Sequence, residues 1–165
     1  MLTHLNIKNF AVVQTLSIDL QSGLSVITGE TGAGKSIAVD ALGLVLGDRA
    51  DTGIIRDGTE RAEISASFDI SANPLARQWL DEQGLENDEC ILRRVLSRDG
   101  RSRAFVNGST ATLSQLREIG ESLIDIHSQH EHQSLLNKTS HRRLLDAYAD
   151  TTKLAETVHN IYQQW

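Results

Sequence analysis

The sequence predicts an α/β fold, and three features of its 165 residues carry that prediction. The apolar run Leu24-Ser25-Val26-Ile27 feeds directly into Gly29-Glu30-Thr31-Gly32-Ala33-Gly34-Lys35-Ser36, a complete Gly-x-x-x-x-Gly-Lys-Ser stretch. After it, Ile37, Ala38, Ala41, Leu42, Val45 and Leu46 recur at helical spacing. Further on, Ala62, Ile64, Ala66 and Phe68 alternate with Glu63, Ser65, Ser67 and Asp69, the period of a strand with one wet face.

Taken in order, Leu2, Leu5, Ile7 and Phe10, then Leu16, Ile18 and Leu20, read as two half-buried strands joined by a short turn. Leu24 to Ile27 reads as a buried strand. The helix that follows is expected to close at Gly47. Arg56-Asp57-Gly58 is the turn leading into the alternating strand 62–68, and Leu75 to Gln83, after Pro74 and before Gly84, is a short helix. Cys90 to Leu96 and Arg103 to Val106 flank Arg98-Asp99-Gly100-Arg101 as a hairpin, with a second turn at Asn107-Gly108. Thr112 or Ser114 caps a helix running to about Ser122, and Leu123-Ile124-Asp125-Ile126 reads as another buried strand. The order β-β-β-α-β-α-β-β-α-β-α describes an α/β nucleotide core with an antiparallel side sheet.

The Gly-x-x-x-x-Gly-Lys-Ser stretch defines the candidate site. Gly29, Gly32 and Gly34 allow backbone conformations and approaches that a Cβ would block, so the amides converge on phosphate oxygens. Glu30, Thr31 and Ala33 complete the loop. Lys35 reaches the β and γ phosphates, Ser36 offers a hydroxyl to Mg²⁺, and the dipole of the following helix favours the anion. These residues point to ATP or a related triphosphate, with Mg²⁺.

Composition excludes several classes. Sixteen basic against 22 acidic side chains give a net charge of −6, so the chain is no globally basic nucleic-acid binder and any DNA contact is local. A single cysteine excludes an internal disulfide. The absence of a signal-peptide pattern or long apolar stretch points to a cytoplasmic protein with no membrane partner.

From Ser140 a helical pattern starts. Leu145, Tyr148, Thr151, Ala155, Val158, Tyr162 and Trp165 trace a three-four seam of coiled-coil spacing, weak at Thr151 and Ala155. A terminal helix packed on its own domain fits the same pattern. The expected division is 1–139 for a nucleotide-binding unit and 140–165 for the start of a coiled-coil helix.

Leu5-Asn6-Ile7-Lys8-Asn9-Phe10, Ile27 to Ser36, Arg56-Asp57-Gly58, Ser102 to Gly108 and Ile126-His127-Ser128-Gln129-His130-Glu131-His132-Gln133 together resemble the amino-terminal head segment of the RecN family. These are bacterial double-strand-break repair ATPases related to the SMC proteins, and the resemblance runs from Met1 to about Asp150. It implies half of an ABC/SMC-type P-loop ATPase head with an antiparallel side sheet, acting in recombinational DNA repair. It implies that Gln129 matches the Q-loop glutamine, a Mg²⁺ ligand and γ-phosphate sensor. Arg56 matches an arginine that lies near the nucleotide and couples to DNA. Catalytic roles then fall to Lys35 and Gln129. No Leu-Ser-Gly-Gly signature or Walker B strand ending in Asp-Glu is found; the family places both in a carboxy-terminal half. The implied partners are that missing half, a second head joined through ATP, and DNA, with a nucleoid-associated cytoplasmic location. By this reading the stretch is a fragment or truncated product, inactive as an ATPase alone.

Other readings remain open. Asp125 as a Walker B-like Mg²⁺ ligand would make a self-contained small-molecule kinase or NTPase. A non-catalytic nucleotide- or partner-binding module is a further alternative. His127, His130, His132 and His141 follow no standard zinc spacing, and a solvated loop accounts for them. Arg93, Arg94, Arg98, Arg101 and Arg103 crowd one hairpin, either as phosphate contacts or as a solvated face interleaved with acids.

Overall fold

A computed structural model of the chain describes residues 1–28, 35–124, 126, 145, 146, 148, 149 and 151–163. Met1–Ile126 and His127–Trp165 are two separate compact units. The first is built on one six-stranded antiparallel sheet of β1 (Leu2–Phe10), β2 (Val13–Asp19), β3 (Arg61–Asp69), β4 (Glu89–Ser97), β5 (Ser102–Val106) and β6 (Ser109–Ala111). Their spatial order is β2-β1-β3-β4-β5-β6.

Period-two alternation sends one set of side chains inward. Leu5 and Ile7 of β1, Ala62, Ile64, Ala66 and Phe68 of β3, Cys90, Leu92 and Leu96 of β4, and Ala104 and Val106 of β5 are all buried. The other face is mostly polar. Across it runs Ser17, Asn6, Ser65, Arg93, Phe105 and Thr110, one residue per strand in direct register.

Helix α1 (Lys35–Val45) lies over β1, β3 and β4 and buries Ile37, Ala38, Ala41, Leu44 and Val45. Those positions share one helical face, so a continuous stripe meets the apolar side of the sheet. Helix α3 (Leu113–Leu123) packs on β5 through Leu116 and Ile119, and α2 (Pro74–Glu82) packs on α3 through Ala76 and Leu80. Asn73 joins the two helices: its Oδ1 caps α2 by accepting from Ala76 N at 3.1 Å, and its Nδ2 donates to Ser122 O at 2.6 Å. The α3 cap is Thr112, one of the two residues expected there.

Two expectations are corrected, and one strand is added to them. Leu24–Ile27 forms no strand and is exposed, with Leu24 at 94% and Val26 at 74%. An apolar run becomes a buried strand only beside another strand. Among the described residues none runs along this one, and every strand of the sheet belongs to the antiparallel set. Leu123 ends α3 instead of opening a strand, and only Ile124 beyond it is extended, at φ −155° and ψ 143°. Asp125 lies outside the described residues. The added strand is β6, a short edge strand the sequence did not announce, formed as the turn at Asn107-Gly108 returns the chain.

In the second unit, helix α4 spans Thr152–Gln163. Leu145, Tyr148, Leu154, Val158, Ile161 and Tyr162 are exposed, while Thr151 and Ala155 are half-buried. Ser140 and Trp165 lie outside the described residues.

Candidate nucleotide-binding site

The structural anchor of the candidate site is α1, whose first residue is Lys35. An α-helix leaves its first amides without intrahelical partners and concentrates positive potential at that end. The site therefore has its anion-attracting end where the sequence places the phosphate loop. Ser36 is exposed in this first turn. Gly29, Glu30, Thr31, Gly32, Ala33 and Gly34 lie outside the described residues, as do Gln129 and the candidate histidines His127, His130, His132 and His141.

The far end of α1 is built with equal care for its backbone groups. Gly47 takes φ +109°, Gly47 N donates to Leu44 O at 3.2 Å and Asp48 N to Gly43 O at 3.0 Å. This pair of bonds is a Schellman ending, so Gly47 closes the helix as its position in the sequence predicts. Two arginines supply further donors to the same turn. Arg94 Nη1 donates to Leu44 O at 2.6 Å and also to Asp48 O, and Arg117 Nε of α3 donates to Gly47 O at 3.0 Å.

The five hairpin arginines part company in the structure. Arg94 is 1% exposed, which removes it from any surface contact with DNA; its position between Leu92 and Leu96 on the inward face is the reason. That alternation was the signal available in the sequence. Arg93 points to the other face, where it sits 4.3 Å over the Phe105 ring and 3.4 Å from Glu63. Arg98 ties turns together, its Nε donating to Thr59 O at 2.9 Å and its Nη2 to Arg56 O at 3.0 Å. Arg101 is paired with Asp99, and the Arg101 hydrogen bonds hold the Asp99 carboxyl below the usual carboxylate range. Arg103 is exposed and has no ion pair among the described residues.

Arg56 belongs to an edge made of three turns. Its amide donates to Asn9 O at 2.9 Å, and its guanidinium donates to Val12 O in the β1–β2 turn. Ile55 bridges to Phe10, and Ala11 N donates to Ile54 O at 2.7 Å. Arg56 thus has a structural partner already, and any ligand that engages its guanidinium competes with Val12 O.

The residues fit magnesium of a particular kind. Among the described residues no group of three or more His, Cys, Asp or Glu side chains is placed to hold a metal. A site with one hydroxyl at a helix N-terminus suits a cation whose other ligands are phosphate and water oxygens, which is how Mg²⁺ is usually bound.

Residues 4–163 match the family model described as an AAA domain. The chain belongs to the AAA domain family. That membership implies nucleotide binding, typically with Mg²⁺. Over 166 residues covering 100% of the chain it is 50% identical to the DNA repair protein RecN of Vibrio cholerae serotype O1. It is 40% identical over 169 residues, again 100% of the chain, to the DNA repair protein RecN of Bacillus subtilis strain 168. The chain spans 30% and 29% of the lengths of these two relatives. It corresponds to the amino-terminal segment of RecN, as the motif resemblance implied.

Solved structures agree on the fold. A structure from work on ATP-driven dimerisation and DNA-stimulated activation of SMC ATPases superposes with a TM-score of 0.64 at 24% identity, covering 88% of this chain and 97% of its own. The Smc head domain of Pyrococcus furiosus, with an extended coiled coil and bound to the C-terminal domain of ScpA, superposes with a TM-score of 0.63 at 26% identity, covering 73% of this chain and 32% of its own. This AAA-family chain therefore has the α/β architecture of an SMC-type head segment, with the antiparallel sheet as its main described element. Among the described residues no helix is long and apolar enough to cross a membrane.

Proposed function

We propose that this chain is the ATP-binding half of an SMC-like ATPase head whose full-length form acts in recombinational repair of DNA double-strand breaks. The observation that carries the reading is the Gly29–Ser36 sequence entering, without interruption, a helix that begins at Lys35 and is buried along one face against the sheet. Fixed on that sheet, the helix has its N-terminal amides preorganised for an anion, so little reorganisation is needed when phosphates arrive.

In this reading Lys35 and the loop amides of Gly29 to Gly34 hold the phosphates, with Glu30, Thr31 and Ala33 shaping the loop. Ser36 and Gln129 would hold Mg²⁺, which when bound neutralises phosphate charge during phosphoryl transfer. Arg56 exchanges its bond to Val12 O for a contact near the nucleotide or DNA. A carboxy-terminal head half supplies the groups this chain lacks, and two heads close on ATP; DNA is contacted directly or by the assembled protein. The protein works in the cytoplasm, associated with the nucleoid. Residues 1–139 form the nucleotide-binding segment, and 140–165 begin a coiled-coil helix. The RecN relatives and the SMC heads support this assignment by name and by fold.

The test is ATP hydrolysis by the purified chain across a concentration series, with and without a separately supplied carboxy-terminal half, and with Lys35→Ala as control. Turnover that requires the added half and disappears in Lys35→Ala is the expected result. A Lys35-dependent rate from the lone chain, linear in its concentration, would overturn the split-head reading in favour of a self-contained enzyme.

A further inference from the structure

The contacts between α1 and the sheet are mostly apolar, through Ile37, Ala38, Ala41, Leu44 and Val45. Apolar burial is non-directional and by itself supplies no polar anchor at a defined point of the helix. Among the described residues, the directional contacts are at the C-terminal end. Arg94, reaching from β4, donates to Leu44 O and Asp48 O through Nη1, and through Nε to Ser102 Oγ of β5 at 3.1 Å.

A buried guanidinium at this position demands an explanation. Leu92 and Leu96 flank Arg94 on the same inward face, and a third aliphatic side chain would fill the slot without removing a charge from water. Desolvation of an ion costs several kcal/mol, and replacing buried ionic groups by apolar ones of similar size is often neutral or stabilising. No carboxylate forms an ion pair with Arg94 among the described residues. Its acceptors are instead Leu44 O at the negative end of the α1 dipole, Asp48 O in the turn that follows, and one hydroxyl. Burial pulls the Arg94 pKa down, and the nearby Asp48 charge acts against that pull. What three directional bonds add over packing is a fixed placement of α1 relative to β4 and β5.

We propose that Arg94 is a positioning residue for nucleotide binding: by gripping Leu44 O in the last turn of α1 and Asp48 O just beyond it, it sets where Lys35, Ser36 and the first-turn amides stand to receive phosphates. The inference rests on the nucleotide-binding reading above. The 11 residues of α1 form a rod about 16 Å long, so a displacement at Leu44 is delivered to Lys35 with little loss. Arg117, at Gly47 O, supports the same turn from the exposed side.

The test uses the full chain and a fluorescent ATP analogue, comparing wild type, Lys35→Ala, Arg94→Met and Arg94→Lys. For each, affinity is measured well below its own unfolding midpoint, together with amide exchange along 36–45. Arg94→Met is expected to stay folded, to lose affinity about tenfold or more, and to raise exchange in the first turn of α1 as well as the last. Arg94→Lys, which keeps the charge but cannot span both carbonyls and Ser102 Oγ, should fall between. Should Arg94→Met fail to fold, Arg94→Lys decides: weakened binding at an unchanged midpoint supports the proposal, and wild-type affinity overturns it. Wild-type affinity in a folded Arg94→Met, beside lost binding in Lys35→Ala, also overturns it while leaving the phosphate-loop reading intact. Equal binding by wild type and Lys35→Ala would instead remove the nucleotide reading and this inference with it.

Discussion

Asn107 and Ile91 are joined by two hydrogen bonds of different origin: Asn107 N donates to Ile91 O at 2.9 Å, and Ile91 N donates to the Asn107 side-chain Oδ1 at 2.6 Å. The side chain stands in for a backbone carbonyl and extends the β4–β5 ladder by one rung past the point where the backbone turns away at φ +45°. Asn107 Nδ2 also donates to Glu86 O at 2.7 Å and Glu89 O at 2.8 Å, so one residue stitches β4, β5 and the α2–β4 loop together. Asn107→Ala should lower stability by about 2–3 kcal/mol, since it leaves a strand amide and two carbonyls without partners and strains a left-handed backbone. Asn107→Gly, which relieves the strain alone, should cost less. Urea midpoints at constant m-value would order the two variants.

Gly47→Ala should be among the more damaging glycine substitutions. A Cβ there would meet Arg117 Cγ at 2.7 Å and Leu113 O at 3.0 Å, on top of the cost of φ +109°. Gly58→Ala, at φ +78°, meets nothing within 4 Å and carries only the backbone cost, about 1 kcal/mol. Thermal melts of the two should separate steric from conformational strain, with Gly47→Ala the lower.

Thr112 and Gln115 cap α3 reciprocally. Gln115 N donates to Thr112 Oγ1 at 3.2 Å, Thr112 N donates to Gln115 Oε1 at 2.9 Å, and Gln115 Nε2 reaches Gln83 Oε1 at 3.0 Å. Thr112→Ala should cost about 1 kcal/mol. Combined with Gln115→Ala, the loss should fall short of the sum, because both substitutions break the same box. A double-mutant cycle by chemical denaturation reads that shortfall directly.

Burial pushes the Cys90 thiol from 9.0 up to about 12, with the Glu89 charge adding to the shift. The folded state therefore favours the neutral thiol. Its contribution to stability is complete below pH 9 and is lost as pH rises from 9 towards about 12. Between pH 8 and pH 10 the loss should be about 1 kcal/mol, absent in Cys90→Ala. Native Cys90 should also resist a thiol reagent at pH 8 until the chain is unfolded.

Legibility in the sequence followed how local the determining physics was. The alternations of β3 and β4 were readable because one face is buried over nine residues each, and the Gly47 ending because a Schellman turn is set by its own few residues. Leu24–Ile27 misled because apolarity describes what a strand would bury and says nothing of whether a neighbour exists. The edge strand β6 was missed since Ser109-Thr110-Ala111 is too short to show a period. In the candidate site, the helix opening at Lys35 was plain, while Arg94 was grouped by charge with surface arginines although Leu92 and Leu96 on either side place it inward.

The unpaired Leu24–Ile27 segment has a colloidal consequence. From Gly23 to Thr28 the chain carries no charge and no proline, its backbone amides lack partners among the described residues, and Leu24, Val26 and Ile27 are 94%, 74% and 53% exposed. Such a stretch templates strand pairing between molecules. A preparation of the chain alone should thus become turbid as it is concentrated, and a single gatekeeper charge such as Val26→Lys should restore its solubility.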